Sequence, residues 1–160
     1  MTVAVPPDVA YAAVSDVRTV GTRSPETVAV TLRGAALPLA VGARFTGHNR
    51  NGIFRWSTRC TVTEAEPGRV FAFDVKSGGL AISNWRYEFS AAPDGDATLV
   101  SETWTDRRSP VMYVLSTLVT GVRDRPAHNR RTIRATLDAL KASLEATQEA
   151  GATGEAADAE

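Results

Sequence analysis

The chain has 160 residues, with 18 basic and 18 acidic side chains and a formal net charge of zero, so no global field draws it to nucleic acid or to a membrane surface. That length suits one domain with its own core, and a single cysteine, Cys60, excludes an internal disulfide. No signal-peptide pattern opens the chain and no apolar run approaches a membrane span, so the cytoplasm is the expected location.

Val3–Val5 reads as the stub of a first strand. Pro6-Pro7-Asp8 then opens a helix over residues 7–17, because proline is tolerated in the first helical turn, and Val9, Ala13, Val14 and Val17 recur at helical spacing. Gly21 to Pro25 end it. From residue 27 the period changes to two. Val28, Val30 and Leu32 share a face of Thr27–Arg33, and Ala43, Phe45, Gly47 and Asn49 share a face of Ala43–Arg50. Asn51-Gly52 is a hairpin signal, since both residues tolerate positive φ. Ile53–Glu64 puts Phe54, Trp56, Thr58, Cys60 and Val62 on one side. After the Pro67-Gly68 turn, Arg69–Lys76 turns Phe71, Phe73 and Val75 inward. After the Ser77-Gly78-Gly79 loop, Ser83–Ala91 does the same with Trp85, Tyr87 and Phe89. Pro93-Asp94-Gly95-Asp96 leads into the last strand, Ala97–Asp106, whose two faces are both mixed.

The end of the chain is helical. Val111, Leu115, Leu118 and Val122 form a short apolar helix after Pro110. Asp124 is placed to cap a second helix with Pro126 in its first turn, and Ile133, Leu137, Leu140 and Leu144 make its apolar stripe. Residues 145–160 hold five acids and no base, which marks 146–160 as a disordered acidic tail behind a domain of residues 1–145. Six consecutive strands with short turns are an antiparallel meander with one covered face. One long amphipathic helix buries its stripe and the sheet's apolar face together only by lying across the concave side, an α+β arrangement in two layers.

These segments resemble a known family. Val5-Pro6-Pro7-Asp8-Val9 through Ser15-Asp16, Val41-Gly42-Ala43-Arg44-Phe45 and Thr61 to Arg69 are similar in order and spacing to START/polyketide cyclase-dehydrase (SRPBCC) proteins of bacteria. So are Trp85-Arg86-Tyr87-Glu88-Phe89 and Thr98 to Trp104. The resemblance covers residues 3–145. It implies a helix-grip fold, a curved antiparallel sheet around a long C-terminal helix with an internal hydrophobic cavity, and a hydrophobic small molecule or lipid as partner. A minority of members catalyse cyclisation or dehydration. The chain departs from its relatives in a short first strand and in lacking an aromatic residue before Ser24-Pro25.

The inward aromatic residues Phe45, Phe54, Trp56, Phe71, Phe73, Trp85, Tyr87 and Phe89, with Trp104, either fill a core or line such a cavity. If Val100 and Trp104 face inward, so does Glu102, and a buried carboxylate is neutralised or paired. It is then either a general acid or base or half of a structural pair with an arginine. If the other face points in, Glu102 is solvated. Asn49 is inward by parity and could hydrogen-bond a ligand. His128 and Asn129 precede Ile133 by about one turn and could stand at a cavity mouth, whereas His48 points outward. Neither histidine has partners at ligand spacing, so no metal is expected, and the absence of a phosphate loop or glycine fingerprint argues against a nucleotide cofactor. Cys60, among aromatics, reads as an inert buried thiol. From Arg107 to Arg134 there are seven arginines and one acid, Asp124. Without interleaved aromatics this does not suggest nucleic-acid binding. It is either a solvated face or a surface for a protein partner.

Overall fold

Seven antiparallel strands form one sheet in the order β1-β7-β6-β5-β4-β3-β2 in the computed structural model, which describes residues 1–32, 34, 36–93 and 97–157. The strands are β1 (Thr2–Val3), β2 (Thr27–Leu32), β3 (Arg44–Asn51), β4 (Phe54–Glu66), β5 (Val70–Ser77), β6 (Leu80–Ala91) and β7 (Thr98–Asp106). The meander is as the periodicity predicts, and the N-terminal stub adds a seventh strand by pairing with β7, Thr2 opposite Leu99 and Val3 opposite Thr98. That stub is Thr2–Val3 rather than Val3–Val5. Val5 has left the ladder, and its carbonyl instead accepts a 2.6 Å hydrogen bond from the buried Thr98 hydroxyl.

Turn chemistry sets the register. Gly78-Gly79 closes β5 onto β6 as a two-residue turn with φ of 56° and 85°, values that suit the twist of a tight hairpin. Gly52-Ile53 closes β3 onto β4 with the positive φ on Gly52 alone, while Asn51 stays paired with Phe54. Asp94, Gly95, Asp96 and Arg33, which the sequence reading assigned to a turn and a strand end, lie outside the described residues.

α1 (Pro7–Ser15) starts on Pro6-Pro7, and its buried face is Ala10, Tyr11 and Val14. Val9, expected on that face, is exposed. The next segment is a 3-10 turn over Val17–Thr22, tighter than the helix end expected there. Its Gly21 lies so close to the Val28 carbonyl that no side chain fits between them. α2 (Pro110–Thr120) is capped by Ser109 and stops at Gly121, whose φ is 69°. α3 spans Arg125–Ala157 and so runs on through most of the segment read as a tail; residues 158–160 lie outside the described residues.

α3 lies across the inner face of the curved sheet, the helix-grip arrangement. Two parts of that face differ. Toward α1, Tyr11 meets Phe71 and Phe89 edge-on, with ring centroids 6.2 and 5.7 Å away. Val3, Val100, Leu140 and Leu144 close this part into solid core. Toward α2, a space is left between the sheet and α3.

Candidate ligand cavity

Between that second part of the sheet, the start of α3 and the inner side of α2 lies a cavity of about 210 Å³. Its walls follow strand parity: Phe45, Gly47 and Asn49 from β3, Trp56, Thr58 and Cys60 from β4, and Phe73 and Val75 from β5. Trp85 and Tyr87 come from β6, and Glu102 and Trp104 from β7. All three tryptophans of the chain are on it. Bulges break the alternation usefully. One between Thr27 and Ala29 brings both Thr27 and Val30 to the cavity and leaves Val28 exposed, against the expected Val28, Val30, Leu32 face. α3 contributes a stripe at helical spacing, Arg125, Asn129, Ile133, Thr136, Leu137 and Leu140.

Three aromatics expected on the cavity lie elsewhere. Phe71 and Phe89 fill the core beside Tyr11. Phe54, at the very start of β4, is the outermost inward position and packs on Gly121, where α2 ends. Phe45 and Phe73, whose rings are 5.3 Å apart, mark the border between core and cavity.

The last strand's parity is resolved by Val100, which is fully buried. Glu102 therefore points inward, directly opposite Tyr87. Burial pushes the Glu102 carboxyl up to about 7, against the opposing pull of the Tyr87 hydrogen bond and of the Arg23 charge. Burial also raises Tyr87 well above its ordinary value, so the phenol keeps its proton and donates it to Glu102 Oε1 at 2.7 Å. Glu102 Oε2 is buried with no partner among the described residues. Arg23 is anchored by donating to the Ala13 carbonyl at 2.8 Å, and its own burial lowers its basicity.

A second polar group joins α3 to β2. Glu26 pairs with Arg125 at 2.7 Å and with His128 at 3.2 Å, and the Arg125 guanidinium stands 5.9 Å from the Trp56 ring centroid. His128 thus serves the ion pair behind the cavity wall. Asn49 is structurally occupied: Oδ1 accepts from Thr27 Oγ1 at 2.8 Å, and Nδ2 donates to the Gly47 carbonyl and Thr58 Oγ1. Asn129, 2% exposed, has no side-chain partner at all among the described residues. His48 faces outward between Thr31 and Ser57. Cys60 is buried, and desolvation pushes its thiol up to about 12. Among the described residues no group of three or more His, Cys, Asp or Glu side chains comes together.

α2 covers one end. Met112, Leu115, Ser116 and Val119 line the cavity, while Val111, Val114 and Leu118 on the other side are 63–76% exposed. Arg108 holds this helix in place, bonding Ser116 Oγ at 2.7 Å and lying 4.7 Å from the Tyr113 ring centroid. Asn51 Nδ2 holds its other end at the Thr120 carbonyl. The Arg-rich segment is consequently not one patch: Arg107, Arg108 and Arg125 pair with Asp74, Asp106 and Glu26.

The family model for polyketide cyclase / dehydrase and lipid transport proteins matches residues 1–145. The chain belongs to that family. Among solved structures it is similar to a Polyketide_cyc-like protein, Cgl2372 from Corynebacterium glutamicum. The two are 28% identical over 93% of this chain and 90% of that one, with a TM-score of 0.55. It is also similar to the Zhui aromatase/cyclase from Streptomyces sp. R1128, at 20% identity over 91% and 90% of the two chains and a TM-score of 0.61. Ara h 8.0201 shares the fold at 10% identity, over 91% and 94%, with a TM-score of 0.63. No curated protein matches the sequence. No helix is long and apolar enough to cross a membrane among the described residues.

Sequence reasoning missed Arg23, Glu26, Arg108 and Arg125. Arg125 had a signal, since the Ile133 stripe extended back by fours reaches Asn129 and then Arg125. Arg23 and Arg108 sit in connections with no period to read.

Proposed function

We propose that the protein binds a hydrophobic small molecule or lipid in this cavity, with α2 as its lid. The observation that carries the reading is the unfilled space between α3 and the sheet, walled by Trp56, Trp85, Trp104, Phe45 and Phe73. Cores normally pack to crystal-like density, and apolar concavities with a few polar groups are the usual form of small-molecule sites. The three tryptophans provide the test, because each indole N–H gives its own NMR signal. Titration with 2-naphthol is expected to shift all three together and to saturate. Shifts scattered over the exposed face of α2, with the indoles unmoved, overturn the reading.

A second reading, a cyclase- or dehydratase-type enzyme, is favoured by Glu102. A carboxyl on the cavity wall that burial pushes up to about 7, with one oxygen unpartnered among the described residues, suits proton transfer with a bound carbonyl compound, with Tyr87 fixing its orientation. Turnover of a poly-β-ketone substrate that disappears in Glu102→Gln, while 2-naphthol still binds, supports this role. Unchanged turnover in that variant removes it.

A further inference from the structure

Of the polar side chains on the cavity wall, Asn129 is one whose amide is buried and wholly unanswered among the described residues. Glu26 and Arg125 neutralise each other, Asn49 uses both ends of its amide within the sheet, and the Thr132 hydroxyl turns back to the Asn129 carbonyl. Asn129 is 2% exposed, it lines the cavity, and neither Oδ1 nor Nδ2 has a partner among the described residues. A buried amide in that state is costly to folding. It lies one turn after Arg125 and one before Ile133 on the stripe that faces the sheet.

A primary amide presents one acceptor and a donor side by side. The group that satisfies both at once carries the same pair in the opposite sense. A primary amide or a lactam does so through two parallel hydrogen bonds, and either rotamer of the asparagine amide can be matched. A carboxylate answers only the donor and turns a charge toward Oδ1, and the adjacent Arg125 is already neutralised by Glu26. An ester or tertiary amide also lacks the donor.

We propose that Asn129 is the polar recognition point of the cavity, and that the ligand carries a neutral primary amide, or a lactam, on an apolar ring-containing body. The proposal rests on the cavity reading above. It is tested by calorimetric titration of the wild type and Asn129→Leu with 2-naphthamide, N,N-dimethyl-2-naphthamide and methyl 2-naphthoate. The wild type is expected to bind 2-naphthamide roughly tenfold to a hundredfold more tightly than the other two. Asn129→Leu is expected to bind all three alike and, without ligand, to melt no lower than the wild type. Equal wild-type affinities overturn the proposal and leave the cavity reading intact, and this arm decides even if the variant does not fold. Discrimination that persists in Asn129→Leu assigns recognition to another group, such as Glu102, and overturns it too. Failure of all three compounds to bind defeats the cavity reading itself.

Discussion

Tyr87 and Glu102 face each other across one rung of the β6–β7 ladder, and the phenol donates a 2.7 Å hydrogen bond to the carboxyl. This single bond leaves the second carboxyl oxygen buried without a partner among the described residues. The favoured form of Glu102 up to near-neutral pH is therefore the acid, and stability should depend on pH through it.

The carboxyl binds its proton up to about 7 in the folded protein against an ordinary 4.5, so the native state holds more protons than the unfolded chain between those values. Its contribution is fully present below about pH 4.5 and is lost as pH rises through about 7. Glu102→Gln, neutral at every pH, should flatten this part of the stability curve. At pH 8 it should be more stable than the wild type by up to roughly 3 kcal/mol, and about equal at pH 4. Urea denaturation across that range checks the sign.

Gly121 holds both a left-handed turn and the Phe54 ring. A Cβ there would stand 2.5 Å from the ring at a φ of 69°. Gly121→Ala is expected to cost about 2 kcal/mol and to loosen the end of α2, raising amide exchange over residues 110–120 more than in β5 or β6. Uniform exchange would contradict the role of Gly121 as the fixed end of α2.

Glu26 joins β2 to the first turn of α3. Glu26→Gln removes the direct ion-pair partner of Arg125, whose side chain is 17% exposed. The loss should be about 3 kcal/mol in chemical denaturation, and the double variant Glu26→Gln/Arg125→Met should recover most of it.

Cys60 reports on access to the cavity. With its thiol pushed up to about 12 and its side chain buried, iodoacetamide at pH 8 should label it only after unfolding. Rapid labelling of the folded protein would mean that the β4 wall opens.

Much of this was legible in the sequence. Period two from residue 27 gives the meander, and the inward parity of Phe45, Trp56, Trp85 and Tyr87 holds in the structure. The stripe on α3 leads from Ile133 to Asn129. Parity gives the face but not what stands over it: Phe71 and Phe73 share a face of β5, yet Phe71 is covered by Tyr11 of α1 while Phe73 borders open space. Phe54 has the right parity and the wrong height along its strand. The β2 face was misread because a bulge costs one residue and has no fixed residue signature. Glu102 was undecidable locally, since both faces of β7 are mixed; buried Val100 settles it only through tertiary packing.

Whether the space under α2 and α3 takes a ligand is tested most directly by the binding of Nile red to the wild type and to Ile133→Trp, in which the larger side chain fills the cavity. Saturable, blue-shifted emission at one equivalent is expected in the wild type, with its loss in a variant of unchanged circular dichroism and equal or higher melting temperature. Undiminished binding by Ile133→Trp, or none by the wild type, would contradict a ligand site there.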